Sequence, residues 1–173
     1  MKKTLSIIIA IVTLIACATN AFAEQKTVLS TTVPEAQYTL NIPEDQEITY
    51  GKEQTNIGDV TVTNSSKFAE GKNLSVKIEF DDFSCKDTET TIPYKLAFNK
   101  KDDYYHYKVI ESGDCIIFRG KANGTVDEHL FLDGVFADIL YVEVASVDWG
   151  KALAGDYSST ITFTAKVVVA DDE

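Results

Sequence analysis

Apolar and polar side chains alternate with a period of two along most of this chain. Leu74, Val76, Ile78 and Phe80 alternate strictly with Ser75, Lys77 and Glu79. Successive strand residues point to opposite faces, so this run predicts a strand with one face on a core and one in water. Residues 36–42 place Tyr38, Leu40 and Ile42 on one face, between Pro34 and Pro43. Neither proline can donate to a ladder, so both mark strand ends. Further runs follow at 57–63 (Val60 and Val62 on one face), 92–98 (Tyr94, Leu96, Phe98), 104–110, 115–118 and 139–147 (Leu140, Val142, Val144). The longest, 157–169, aligns Tyr157, Ile161, Phe163, Ala165, Val167 and Val169. At about 3.3 Å per residue it reaches roughly 40 Å, long enough to predict a bend or bulge midway.

Turn residues punctuate these runs: Tyr50-Gly51, Asn99 to Asp103, Ser112-Gly113-Asp114 and the polar stretch 120–127. No amphipathic helical pattern of useful length is present. Trp149 to Asp156 predicts one helical turn ended by Gly155, with Trp149 and Leu153, four apart, closing an open end together. Short alternating runs with turns between them predict an all-β fold, an immunoglobulin-like two-sheet antiparallel β-sandwich of about seven to nine strands.

The first 23 residues break the pattern. Met-Lys-Lys-Thr precedes an apolar run from Leu5 to Ala18, and Ala21-Phe22-Ala23 precedes Glu24. A basic start, a short apolar run and a small-x-small site make 1–23 a signal peptide and 24–173 a single β-sandwich domain. The run is shorter than the roughly 20 apolar residues a membrane span needs. The chain is therefore expected to be secreted or at the cell surface, without membrane insertion. Leu14-Ile15-Ala16-Cys17 also fits a lipobox, which would instead leave a lipid anchor on Cys17.

Loss of Lys2 and Lys3 takes the formal net charge from −11 to −13. Such a field repels phosphate backbones and anionic lipid, so no nucleic acid partner is expected. Cys85 and Cys115 are the cysteines beyond residue 23. In an exported chain they predict one disulfide, with two free buried thiols as the alternative. There is no Cys-x-x-Cys, and the histidines are His106 and His129, so neither a metal centre nor a cofactor is expected.

Two stretches carry a resemblance. Ala154-Gly155-Asp156-Tyr157 followed by the alternating Ser158 to Thr164 resembles the closing strand of secreted bacterial immunoglobulin-like β-sandwich proteins, and similar endings occur in pilin-like and spore-coat-U-like subunits. Thr32 to Pro43 resembles the opening strand of small secreted proteins of Gram-positive bacteria. The resemblance covers about a third of the mature chain and implies a fold and an exported setting. It brings no catalytic residues.

Candidate chemistry is sparse. Asp81-Asp82 and Asp102-Asp103 offer hard oxygens of the kind calcium prefers, without EF-hand spacing; solvated loop carboxylates are the plainer reading. His106 has no nucleophile motif near it. Tyr104, Tyr105 and Tyr107 make a possible ligand platform for sugars or peptide, although alternation sends Tyr104 to the face opposite the other two. The residues 24–33 include a proline-free Val28 to Val33 segment that reads either as a donor strand for another subunit or as a loose arm. The function expected is therefore non-enzymatic: a secreted or cell-surface structural or adhesive module. The alternative is an extracellular carbohydrate- or peptide-binding module, with other surface proteins or glycans as partners.

Overall fold

The structure is a computed structural model that describes residues 35–100, 103–132, 135, 136 and 139–170. At 99, 100, 103–107, 131, 132, 135 and 136 the description covers the backbone alone. The expected signal peptide 1–23, Cys17 and the arm 24–33 lie outside the described residues. All described residues belong to one compact unit, Pro34–Glu173.

The fold is all-β and antiparallel. The strands are β1 (Gln37–Asn41), β2 (Gln54–Asp59), β3 (Thr61–Ser66), β4 (Lys72–Phe80), β5 (Phe83–Cys85), β6 (Thr90–Ile92), β7 (Lys95–Lys100), β8 (Asp103–Ile110), β9 (Cys115–Phe118), β10 (Phe131–Leu132), β11 (Val135–Phe136), β12 (Ile139–Glu143) and β13 (Ile161–Val169). One short helix, α1, spans Ser146–Trp149. The larger sheets have the orders β2-β12-β7-β8 and β13-β4-β9, and β1-β3, β5-β6 and β10-β11 form two-stranded pairs. Among the described residues no helix is long and apolar enough to cross a membrane.

The strict alternation in β4 is repaid by burial. Leu74, Val76 and Ile78 are fully buried, while the opposite face carries Lys77 and Glu79, which pair in water. One hydrophobic cluster joins those three residues to Ile116 and Phe118 of β9, and to Leu96, Phe98, Leu140 and Val142 of the four-stranded sheet. Both large sheets therefore bury their apolar faces in the same core. The run over 57–63 is two strands rather than one. Residues 54–59 pair with β12 and 61–66 with β1, and Val60, fully buried, sits at the joint. Opposite β12 the register shifts around Ile57, and Gly58 takes φ 120°, where Pro43 packs 3.5 Å from the position a Cβ would hold. A side chain there would face both backbone strain and a neighbour.

The closing run also divides. Ser158 makes an isolated bridge to Ser84, and continuous pairing begins at Ile161. The helical turn lies earlier than Gly155, at 146–149. Trp149 is buried, but Leu153 is 55% exposed, so the two do not close the end together. Gly155 is not among the residues with positive φ.

The expected Cys85–Cys115 disulfide is absent: both thiols are free, Cys85 buried and Cys115 exposed. Cys115 pairs with Lys77 in the body of β4, whereas Cys85 lies beyond that strand's end and pairs with Thr90. The three further residues of β4 alone span about 10 Å, more than the roughly 4–7 Å between Cα atoms that a disulfide tolerates. Alternation along a strand fixes which face a cysteine occupies and not how far along the strand axis it lies, so the pairing was not decided by the pattern. A thiol reagent should therefore label Cys115 in the folded protein and Cys85 only after unfolding, measured by peptide mass spectrometry without reductant.

Candidate functional site

A concavity lies at one end of the sheets, where α1 meets the segments 46–50 and 152–159. It encloses about 810 Å³. Its anchor is Trp149. Α1 has no side-chain cap at Ala145, and its one turn is too short to stand alone, so tertiary contacts hold it. The Trp149 indole Nε1–H donates to the Lys52 carbonyl at 3.0 Å. Tyr50 stands edge-on to the indole, with ring centroids 5.4 Å apart, and its hydroxyl donates to the Trp149 carbonyl at 3.3 Å. Tyr50 is nevertheless 70% exposed. It presents an apolar face to solvent in a fixed orientation, the arrangement by which aromatic side chains make contacts at low entropic cost.

The opposite wall is the segment leading into β13, tied to the β5-β6 hairpin. Ser84 and Ser158 exchange two backbone hydrogen bonds, at 2.9 and 3.0 Å. The Tyr157 hydroxyl meets Thr90 Oγ1 at 2.7 Å, and Thr90 Oγ1 meets Thr88 Oγ1 at 2.6 Å. Gly155 packs on the Cys85 sulfur so closely that a Cβ would lie 2.6 Å from it. That approach, and not a turn, is what requires glycine. A hydrogen bond from the Thr88 side chain lowers the pKa of the Cys85 thiol; burial opposes it, and the backbone N–H groups of Thr88 and Asp87 add to the lowering.

A second hollow of about 410 Å³ adjoins the first and shares Gln46, Ile48, Phe83 and Ser159 with it. The segment 42–48 roofs it, held by a hydrogen bond from the Gln46 amide to the Ile57 carbonyl. Its floor includes Tyr94, whose ring packs 4.7 Å from Phe83 and 5.1 Å from Phe80 between centroids. The Tyr94 hydroxyl donates to Ser159 Oγ at 2.9 Å, and Ser159 donates onward to the Asp81 carbonyl at 2.7 Å. Burial raises the Tyr94 pKa, the Ser159 hydrogen bond opposes, and the charges of Asp82 and Asp81 add to the rise.

The two hollows contain the carboxylates of Glu44, Asp45, Glu47 and Asp156 and no lysine, arginine or histidine. This surface suits neutral or cationic groups and disfavours anions. A third hollow of about 410 Å³, which a lysine does line, lies between Glu53, Lys95 and Asp148, and Gln54 bridges to Glu143 there at 2.7 Å.

Tyr104, Tyr105 and Tyr107, with His106, lie in β8, the outer strand of the four-stranded sheet. Their side chains are outside the described residues. Asp81 and Asp82 occupy the β4-β5 connection, Asp103 opens β8, and Asp102 is outside the described residues. Among the described residues no group of three His, Cys, Asp or Glu side chains is gathered as a metal ion would need. Tyr50 and Trp149 were not expected to act together. They are 99 residues apart, and periodicity carries no information over that separation. The available signal was that Trp149 is the chain's one tryptophan, next to a glycine.

Two outcomes test this geometry. Gly155→Ala should destabilise the protein by about 1–3 kcal/mol through overpacking, and Cys85→Ala should recover part of that loss in a double-mutant cycle read by urea unfolding. The folded protein holds the Tyr94 proton more tightly than the unfolded chain does. The stability this gives is full below about pH 10 and is lost as pH climbs through the raised pKa. Urea midpoints between about pH 9 and about pH 11 should therefore fall more steeply for the parent than for Tyr94→Phe.

Comparison with protein-family models, with curated proteins and with solved structures finds no match to this chain.

Proposed function

We propose that this chain is an exported, non-enzymatic module of the immunoglobulin-like β-sandwich kind, acting outside the cell as a structural or adhesive element. The observation that carries the proposal is the exposed ring of Tyr50 held against Trp149 at the mouth of an aromatic, carboxylate-bearing cleft. Such a surface works by contact. The residue pattern of 1–23 supports export. The shared core of the two large sheets supports a sandwich, as does the resemblance of both ends of the mature chain to secreted bacterial immunoglobulin-like proteins.

A second reading, an extracellular carbohydrate- or peptide-binding module, is favoured by the same exposed Tyr50. In that reading the ligand lies across the Tyr50–Trp149 cleft, and Tyr104, Tyr105 and Tyr107 form a separate candidate platform on β8. The ligands favoured are neutral glycans or basic peptides, because only carboxylates among charged groups line the cleft.

Binding of the purified protein to cell surfaces, glycan arrays and basic peptide arrays, with Tyr50→Ala beside the parent, tests both. An interfacial tyrosine commonly contributes about 1–2 kcal/mol, so Tyr50→Ala should weaken binding by roughly 5- to 30-fold, with a fall of a few degrees in the thermal midpoint from the lost contact with Trp149. Binding to surfaces but to no array favours the adhesive reading; specific array binding lost on Tyr50→Ala favours the ligand-binding one. Binding indifferent to Tyr50 removes the cleft from both.

A further inference from the structure

We infer that the free edge of β13 is a self-association site, on which a second copy of this chain adds its own β13 in antiparallel register about Ala165.

Three observations lead there. Among the described residues β13 pairs only with β4, over nine consecutive positions from Ile161↔Phe80 to Val169↔Lys72, with no register shift. Its other side offers a row of backbone donors and acceptors that no described strand pairs. Edges of this kind are normally shortened, bulged, or blocked by proline or several charges. Most other edges among the described residues are short or bulged. Β9 has four residues, β5, β6, β10 and β11 have three or two, β2 and β3 each carry the extra residue of a register shift, β8 carries both a shift at its Asp103 end and Lys108, and β1 is regular but only five residues long. Β13 has no proline and one charge, Lys166.

The second observation is exposure on the face that should be inward. Ile161, Phe163 and Ala165 are half-buried, and Val167 and Val169 are 37% and 62% exposed. None of these residues reaches the full burial of Leu74, Val76 and Ile78 on the adjacent strand. Ile161 and Phe163 line the second hollow, and among the described residues no strand covers the other side of β13.

The third is self-complementarity. A two-fold axis perpendicular to the sheet keeps inner faces together, so paired residues must share parity. With the axis at Ala165, Val167 meets Phe163 and Val169 meets Ile161, which covers both exposed valines with apolar partners. On the outer face Lys166 meets Thr164 and Val168 meets Thr162. Moving the axis to Lys166 would set the two lysines against each other, and moving it to Thr164 would leave Val169 opposite Ser159. Only the Ala165 axis pairs all nine residues with apolar opposite apolar on the inner face and no like charges opposed.

Each copy carries a formal charge of −11, so long-range repulsion opposes the contact. That repulsion is screened by salt, whereas backbone pairing and apolar burial are not, and association should strengthen with ionic strength.

Sedimentation velocity over a wide concentration range tests the inference. The expected result is a monomer–dimer equilibrium that tightens with added salt. Thr164→Lys places the new charge opposite Lys166 of the second copy, twice per dimer, and should raise the dissociation constant about 2- to 30-fold. Adding Lys166→Glu on the same chain turns both contacts attractive and should restore or exceed the parent affinity. Thr164 also faces Lys77 within its own sheet, but that contact is common to the single and double variants, so their difference reports the contact between copies. Should either variant fail to fold, amide exchange on the parent decides: the β13 amides that point away from β4 should gain protection as concentration rises. A monomer at every concentration, a dimer indifferent to Thr164→Lys, or β13 amides whose exchange ignores concentration would each overturn the inference. Concentration-independent protection of the β13 amides that point away from β4 would also overturn it, since the edge would then be covered within one copy.

Discussion

The structure depends on one face of one strand. Leu74, Val76 and Ile78 of β4 are fully buried between β13 and β9 and against the apolar face of the four-stranded sheet. Each contributes about 1.5–3 kcal/mol of apolar burial, comparable in sum to a good part of a domain's net stability. A one-residue slip of β4 would send all three to water and bring Ser75, Lys77 and Glu79 inward. The registers of β13 and β9 follow from that constraint, because each is read off β4 residue by residue. In turn β9 leads to Gly120, whose backbone lies so close to the Lys72 carbonyl that no side chain fits between them.

This part of the fold was legible in the sequence because its determinants are local. Strict alternation at 74–80 and at Leu140, Val142 and Val144 translated directly into burial. What escaped were events that alternation does not encode. Val60 keeps the parity of Val62 while the chain passes from one sheet partner to another, so two strands read as one. Cys85 and Cys115 sit in runs of correct identity, but the distance between them depends on how far β4 extends past Lys77. Gly155 was read as a helix stop, and its role is a close approach to a sulfur 70 residues earlier in the chain.

The candidate site shows the same division more sharply. Tyr50 looked like a turn residue and Trp149 like a lid, each from its own neighbourhood. Their contact exists only because Trp149 donates to Lys52 and so carries α1 onto the turn that holds Tyr50. Sites built across long sequence separation are invisible to periodicity, and a lone tryptophan is the most that composition offers. The tyrosines of β8, by contrast, are conspicuous in sequence because they are contiguous, which is a statement about the chain and not about a surface.

The two ends of the described chain leave the fold at the same place. Gln37 lies beside Ser66, and Ala170 donates to the Gly71 carbonyl, so both flank the 66–72 turn. The Tyr50–Trp149 cleft lies beyond the other end of β4, about 30 Å away along that strand. A molecule tethered by either end would hold the cleft outward, away from its attachment. Two copies joined antiparallel along β13 would point their tethers in opposite directions. The reach of such a pair would then run between two facing surfaces and not across one.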